Sequence, residues 1–188
     1  MEKRAPYKQR LFVALDLPPE ARAHVVAWQS EILGNHGREL RLVKPEALHI
    51  TVAFLGWVAD DPLGHIRTAA LGAAGEPPLF EAIGLSAVPP RRPRLWALSL
   101  ADHGGRAAAQ HDRVARGLEA LGVYEREQRP FWPHITVARL RPGSRAPRIE
   151  VPPPPIRFAP DRLTLYRSHV SRAGAEYESL GSAGLWTP

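Results

Sequence analysis

Cysteine is absent from this chain of 188 residues. Disulfides, thiolate zinc sites and cysteine nucleophiles are therefore excluded together, and a reducing compartment, the cytoplasm, is the expected setting. No apolar run approaches the roughly 18 residues that a membrane-spanning helix needs, so no membrane association is expected. The first ten residues are polar and carry no apolar core of the kind a secretory leader shows. Lysine is nearly missing as well: only Lys3, Lys8 and Lys44 occur, and none follows a glycine, which excludes the Gly-Lys-Ser/Thr phosphate loop of nucleotide-driven enzymes.

What replaces lysine is arginine. It supplies 22 of the 25 basic residues, against 19 acidic ones, for a net charge of +6. The guanidinium fork matches phosphate oxygens two at a time, so an arginine-rich surface suits a polyanion such as RNA. A GC-rich coding sequence would raise arginine too, alongside alanine, glycine and proline, and composition alone leaves both explanations open.

Hydrophobic period divides the chain into two similar runs. Leu11–Leu17 reads as a buried strand. Pro18-Pro19 opens a helix whose Ala21, Val25, Trp28 and Ile32 share one face. A short extended piece at Leu40–Lys44 follows, then a strand from His49 to Leu55 closed by Gly56, a short helix near Pro62–Ala74 and a strand at Phe80–Val88. The plan then restarts with a strand at Arg94–Leu100, a helix over Gly104–Leu121 with His111, Val114, Leu118 and Leu121 on one face, and a strand at Phe131–Leu140. Asp161–His169 and Ala175–Leu180 read as two more strands. Ala14-Leu15-Asp16-Leu17 lies over Ala97-Leu98-Ser99-Leu100, shifted by 83 residues, and His49-Ile50-Thr51-Val52 over His134-Ile135-Thr136-Val137, shifted by 85. A duplication with units at about 10–90 and 94–180 accounts for both. The expected fold is one α+β domain over 1–188, bilobal, with mainly antiparallel sheets related by a pseudo-two-fold axis across a central cleft.

Side chains alternate faces along a strand, so His49 and Thr51 point one way while Ile50 and Val52 enter the core; His134 and Thr136 do the same against Ile135 and Val137. Two-fold packing would bring two imidazoles and two hydroxyls to one cleft. Phosphodiester chemistry suits that set: one imidazole acts as base, the other as acid, and the hydroxyls hold the non-bridging oxygens. Neither motif has the spacing of a metal site, and no metal or other cofactor is expected.

At these residues the chain resembles the 2H phosphoesterase superfamily, and most nearly its bacterial 2'-5' RNA ligase or RNA 2',3'-cyclic phosphodiesterase branch. Arg10–Pro18, Leu48–Gly56, Pro133–Arg139 and Leu163–Ser168 carry the resemblance. It implies hydrolysis of RNA 2',3'-cyclic phosphate ends to a 2'-phosphate and a reversible, ATP-independent 2'-5' joining of RNA ends. It further implies that His49 and His134 are the acid/base pair and that Thr51 and Thr136 hold the phosphate. Arg139 matches a family arginine five residues past the second histidine. Strict alternation places it on the core face, and only a twist or bulge would bring it into the cleft.

Some relatives carry two aromatics in the first strand, where this chain has Phe12-Val13. Phe12, Trp132 and Tyr166 remain as candidates to stack a base, each with core packing as the competing use. Arg91, Arg92 and Arg94 form either an RNA-backbone patch or a solvated loop. Of the other histidines, His24 and His111 sit in helices, with partly exposed polar packing expected, and His169 ends a strand. The expected partners are RNA ends or nucleotide 2',3'-cyclic phosphates, with no obligatory protein partner and a monomeric state. A small-molecule cyclic phosphodiesterase, a 2'-5' oligonucleotide hydrolase and a non-catalytic RNA-end binding module stay open as alternatives.

Overall fold

The computed structural model describes residues 8–171 and 174–186; the N-terminal stretch with Lys3 lies outside them. In chain order the elements are β1 (Lys8–Asp16), α1 (Pro19–Leu33), β2 (Leu40–Leu42), β3 (His49–Ala59), α2 (Leu63–Leu71), β4 (Leu79–Val88), β5 (Leu95–His103), α3 (Arg106–Ala120), β6 (His134–Leu140), β7 (Arg157–Phe158), β8 (Arg162–Ser171) and β9 (Gly174–Gly184). Among the described residues the strands make one curled, nine-stranded sheet in the order β7-β4-β5-β6-β3-β1-β8-β9, with β2 on β6. Every pairing is antiparallel. No helix among these residues is long and apolar enough to cross a membrane.

The duplication is written into the hydrogen-bond register. Leu15 pairs with Ile50 as Leu98 pairs with Ile135, and Ala14 pairs with Thr51 as Ala97 pairs with Thr136. The register then slips in both copies, so that Val13 meets Ala53 and Trp96 meets Ala138. Val52 and Val137 are thus the extra residues of two equivalent β-bulges. The half-sheets β3-β1-β8-β9 and β6-β5-β4-β7 meet at a single pair, Ile50 with Ile135. A residue can pair with its own repeat equivalent only on the two-fold axis, so this pair marks the axis. The repeats are contiguous in sequence but interleaved in space: β4 ends the first run yet pairs with β5, and β8 ends the second yet pairs with β1.

A helix side chain meets the carbonyl at each bulge. His111 of α3 donates Nδ1–H to the Val52 carbonyl at 2.7 Å; the Val137 carbonyl accepts the Val43 amide at 2.9 Å and, in addition, the Gln29 side chain of α1. Both side chains are buried, and a buried carbonyl left without a partner costs about 1–3 kcal/mol. This corrects two expectations, the buried face of α1 and the partial exposure of His111. Helix α1 buries Ala21, Val25, Gln29 and Leu33, while Trp28 and Ile32 lie at the margin. His111 is a core residue stacked on Phe131 at 4.8 Å. A third correction is Gly56, which does not close β3. With φ at 71° it lets the strand continue through a second register slip to Ala59.

Ile50 and Ile135 are fully buried. Ile135→Ala should destabilise the chain by about 2–5 kcal/mol in urea unfolding, with Ile50→Ala costing a similar amount because the two sites are equivalent. A loss below about 1 kcal/mol for either would contradict a seam that depends on this pair.

Candidate active site

The antiparallel register about Ile50 and Ile135 sets His49 level with Thr136, and Thr51 level with His134. Ile50 and Ile135 point into the core, so the four polar side chains share the opposite, concave face. A cleft of about 340 Å³ opens there, with His49, Thr51, Thr136 and Arg139 in its wall. His134 stands close enough for its charge to act on His49.

The two imidazoles are held alike. His49 donates Nδ1–H to the carbonyl of Ala47 at 2.8 Å, and His134 donates Nδ1–H to that of Trp132 at 2.9 Å. A carbonyl only accepts, so each ring keeps its proton on Nδ1 and a lone pair on Nε2. The Thr51 hydroxyl donates to Nε2 of His49 at 3.1 Å. Burial pushes the His49 pKa down to about 4; the Ala47 carbonyl opposes this, and the nearby charges of His134, Arg139 and Arg22 add to it. Burial also lowers His134, against the pull of the Trp132 carbonyl. Both rings are therefore neutral at pH 7 in the free protein.

Arg22 holds the first ring's support in place. Its guanidinium donates to the carbonyls of Leu17, Pro45 and Leu48, bracketing the short turn whose Ala47 carbonyl orients His49. Phe12 is buried and packs on His49 with centroids 4.9 Å apart, and Tyr177 meets the same ring edge-on at 5.2 Å.

Arg139 reaches the cleft, and the bulge at Val137 is the reason. Past the extra residue Ala138 takes the core position and Arg139 the exposed one. Phe54 holds the equivalent place in β3, beyond the bulge at Val52, and it too lines the cleft. Arg41 pairs in register with Arg139, and Lys44 and Arg10 complete a cationic wall without one carboxylate in it. Arg10 lies over the Phe54 ring at 4.7 Å and donates to Ser168.

The remaining sequence candidates are placed unevenly. Trp132 is 39% exposed and stacks on His134 with centroids 4.1 Å apart. Phe12 belongs to the cleft wall but is only 3% exposed, so it supports His49 and offers no free face to a base. Tyr166 does not line the cleft; its hydroxyl donates to Asp16 at 2.8 Å, and burial with that carboxylate raises its pKa to about 12. Arg91, Arg92 and Arg94 line a separate groove. His169 bonds to Glu178 outside the cleft. Sequence reading missed Arg10, Arg41, Lys44, Phe54 and Tyr177. The basic, alternating stretch Arg41–Lys44 was the available signal for two of them.

Residues 15–96 match the family described as LigT like Phosphoesterase. An Escherichia coli protein named RNA 2',3'-cyclic phosphodiesterase is 31% identical over 92% of this chain and 94% of its own length. One of the same name from Thermus thermophilus is 31% identical, covering 94% and 90%. Among solved structures, TT0787 of Thermus thermophilus superposes with a TM-score of 0.80 at 28% identity, over 94% of this chain and 97% of that one. Escherichia coli LigT complexed with 3'-AMP gives 0.72 at 25%, over 97% and 100%. With near-complete coverage on both sides, these likenesses show that the chain belongs to the LigT-like phosphoesterase family.

Proposed function

We propose that this chain hydrolyses the 2',3'-cyclic phosphate at an RNA end to a 2'-phosphate. The observation that carries the reading is the pair of imidazoles in one tautomer, each with Nε2 unprotonated: His49 lines a cleft walled by cations, and His134, outside that lining, is near enough for its charge to act on His49. The curated relatives of the same family are named for this activity, and the solved complex of one relative with 3'-AMP supports a nucleotide end in this cleft.

In the reaction a water oxygen attacks phosphorus, and one Nε2 accepts the water's proton. The bond from phosphorus to the 3'-oxygen breaks, and the other imidazole, protonated beforehand, delivers its proton to that oxygen. Thr51 and Thr136 hydroxyls donate to the non-bridging oxygens, and Arg139 offsets the charge that builds on them. The proton inventory closes without a metal. An RNA 5'-hydroxyl in place of water, attacking the same phosphorus, makes a 2'-5' bond without ATP, and the reverse step cleaves it. Trp132 and Phe54 are the exposed aromatics positioned for a base. Because one chain carries both histidines, a monomer is sufficient for turnover, and an RNA-end substrate sets the work in the cytoplasm.

His49→Ala and His134→Ala should each lower turnover of a 2',3'-cyclic phosphate by at least about a hundredfold in EDTA, with the unfolding midpoint preserved. Near-normal rates in either variant would reject the acid/base pair, and activity that disappears in EDTA would reject the metal-free route.

The depressed imidazoles also fix the pH profile. Below the values of both rings each is protonated and no base is left; well above them both are neutral and no acid is left. The ratio kcat/KM should therefore be bell-shaped, with both limbs on the acid side of an ordinary histidine. The bound anion favours imidazolium, so the alkaline limb of kcat should lie at higher pH than that of kcat/KM. Arg139→Ala removes a cation that depresses His49 and should move the acid limb upward. A profile flat across this range would contradict the assignment.

A further inference from the structure

On the face of the sheet behind Arg139 lies a second concavity, a groove of about 760 Å³. Five arginines line it: Arg91, Arg92 and Arg94 from the β4–β5 connection, and Arg145 and Arg148 from the loop after β6. All five are exposed. Its only acid, Glu150, bonds to Arg148. Arg91, Arg92, Arg94 and Arg145 have no carboxylate partner among the described residues. Arg106, Arg126, Arg129, Arg162 and Arg167 each lie within 4 Å of an acid, whereas Arg38, Arg116 and Arg157, like the arginines of the cleft wall, have none among the described residues. What sets the groove apart is the gathering of four such guanidiniums around one concavity that has a single acid in its lining. Leu85, Ala87 and Ile149 give the groove a partly apolar wall, which suits the sugar faces of a nucleic acid.

The groove and the cleft meet at the end of β6. Arg139 turns to the cleft, and Leu140, the next residue on the strand, turns to the groove. The carbonyl of Arg94 accepts the Leu140 amide at 2.8 Å, and Leu95 pairs with Arg139, which pairs on its other side with Arg41. Arg41, Arg139 and the start of β5 thus form a row about 10 Å wide, at two strand spacings, which runs from the cleft to the groove's lip.

We propose that this groove binds the phosphate backbone of the single-stranded RNA upstream of the reacting end. The chain leaves the cleft past Arg139, passes over the exposed end of β6 and enters the arginine groove on the back of the sheet. This rests on the RNA-end reading above. It adds a binding site outside the reacting centre and a length requirement, because a mononucleotide cannot span from one face to the other.

The test compares wild type with Arg91→Ser/Arg92→Ser/Arg145→Ser, using uridine 2',3'-cyclic phosphate and an oligouridylate dodecamer ending in the same cyclic group. The triple variant should raise KM for the dodecamer roughly tenfold and flatten its log KM against log salt by about 2, from 0.7 per lost single-strand phosphate contact. Turnover of the mononucleotide should not change, which also shows that the variant folds. An unchanged dodecamer KM and salt slope would overturn the groove. Binding of a dodecamer ending in a plain hydroxyl, followed by fluorescence anisotropy, reads the groove without catalysis and should weaken in the same variant. Failure of wild type to hydrolyse either cyclic substrate would instead sink the RNA-end reading. Competition by polyglutamate as strong as that by RNA of equal charge would show a general polyanion surface and overturn the assignment to RNA. Arg145→Gln alone should show about a third of the change in slope.

Discussion

The site depends on one backbone pairing. Ile50 meets Ile135 on the two-fold axis, and nothing else in the hydrogen-bond ladder joins β3 to β6. Because these residues are buried, their neighbours on both sides must face the opposite way, and that brings two histidines and two threonines to one concave surface. A slip by one residue would turn both imidazoles into the core. The functional geometry is thus a consequence of register, held by the burial of two isoleucines.

The twin bulges add what register alone cannot. By inserting Val52 and Val137, they reverse the alternation halfway along β3 and β6 and direct Phe54 and Arg139 into the cleft. The duplication has diverged at that point: one copy supplies an aromatic ring and the other a cation. The Val52 carbonyl is satisfied by His111, and the Val137 carbonyl by the Val43 amide together with Gln29, so two buried polar side chains that look misplaced on helix faces both support the bends of the strands. The same logic of supported carbonyls runs through Arg22, which braces the turn that orients His49.

Much of this was legible in the sequence. Two copies of His-Ile-Thr-Val at nearly the same offset as Ala-Leu-x-Leu gave the duplication, the antiparallel lobes and the cleft-wall residues His49, Thr51 and Thr136, because local alternation decides which face a strand residue takes. The reach of Arg139 was not legible, since a bulge depends on the partner strand and leaves no local mark. Arg41 was passed over because β2 has only three residues and gains its meaning from β6, about a hundred residues on, and Lys44 lies just past that strand. Tyr166 looked available until the fold brought Asp16 to its hydroxyl. The exchange of β4 and β8 between half-sheets was equally hidden, because strand order is a long-range choice.

The central claim is that both imidazoles act on a single phosphorus from opposite sides. A crystal structure with uridine vanadate, whose five-coordinate vanadium mimics the phosphorus in transit, tests it directly. The account predicts Nε2 of His49 and Nε2 of His134 within about 2.6–3.2 Å of the two apical oxygens, with the Thr51 and Thr136 hydroxyls on the equatorial ones. A complex in which only one imidazole reaches an apical oxygen, or in which both crowd the same side, would contradict it.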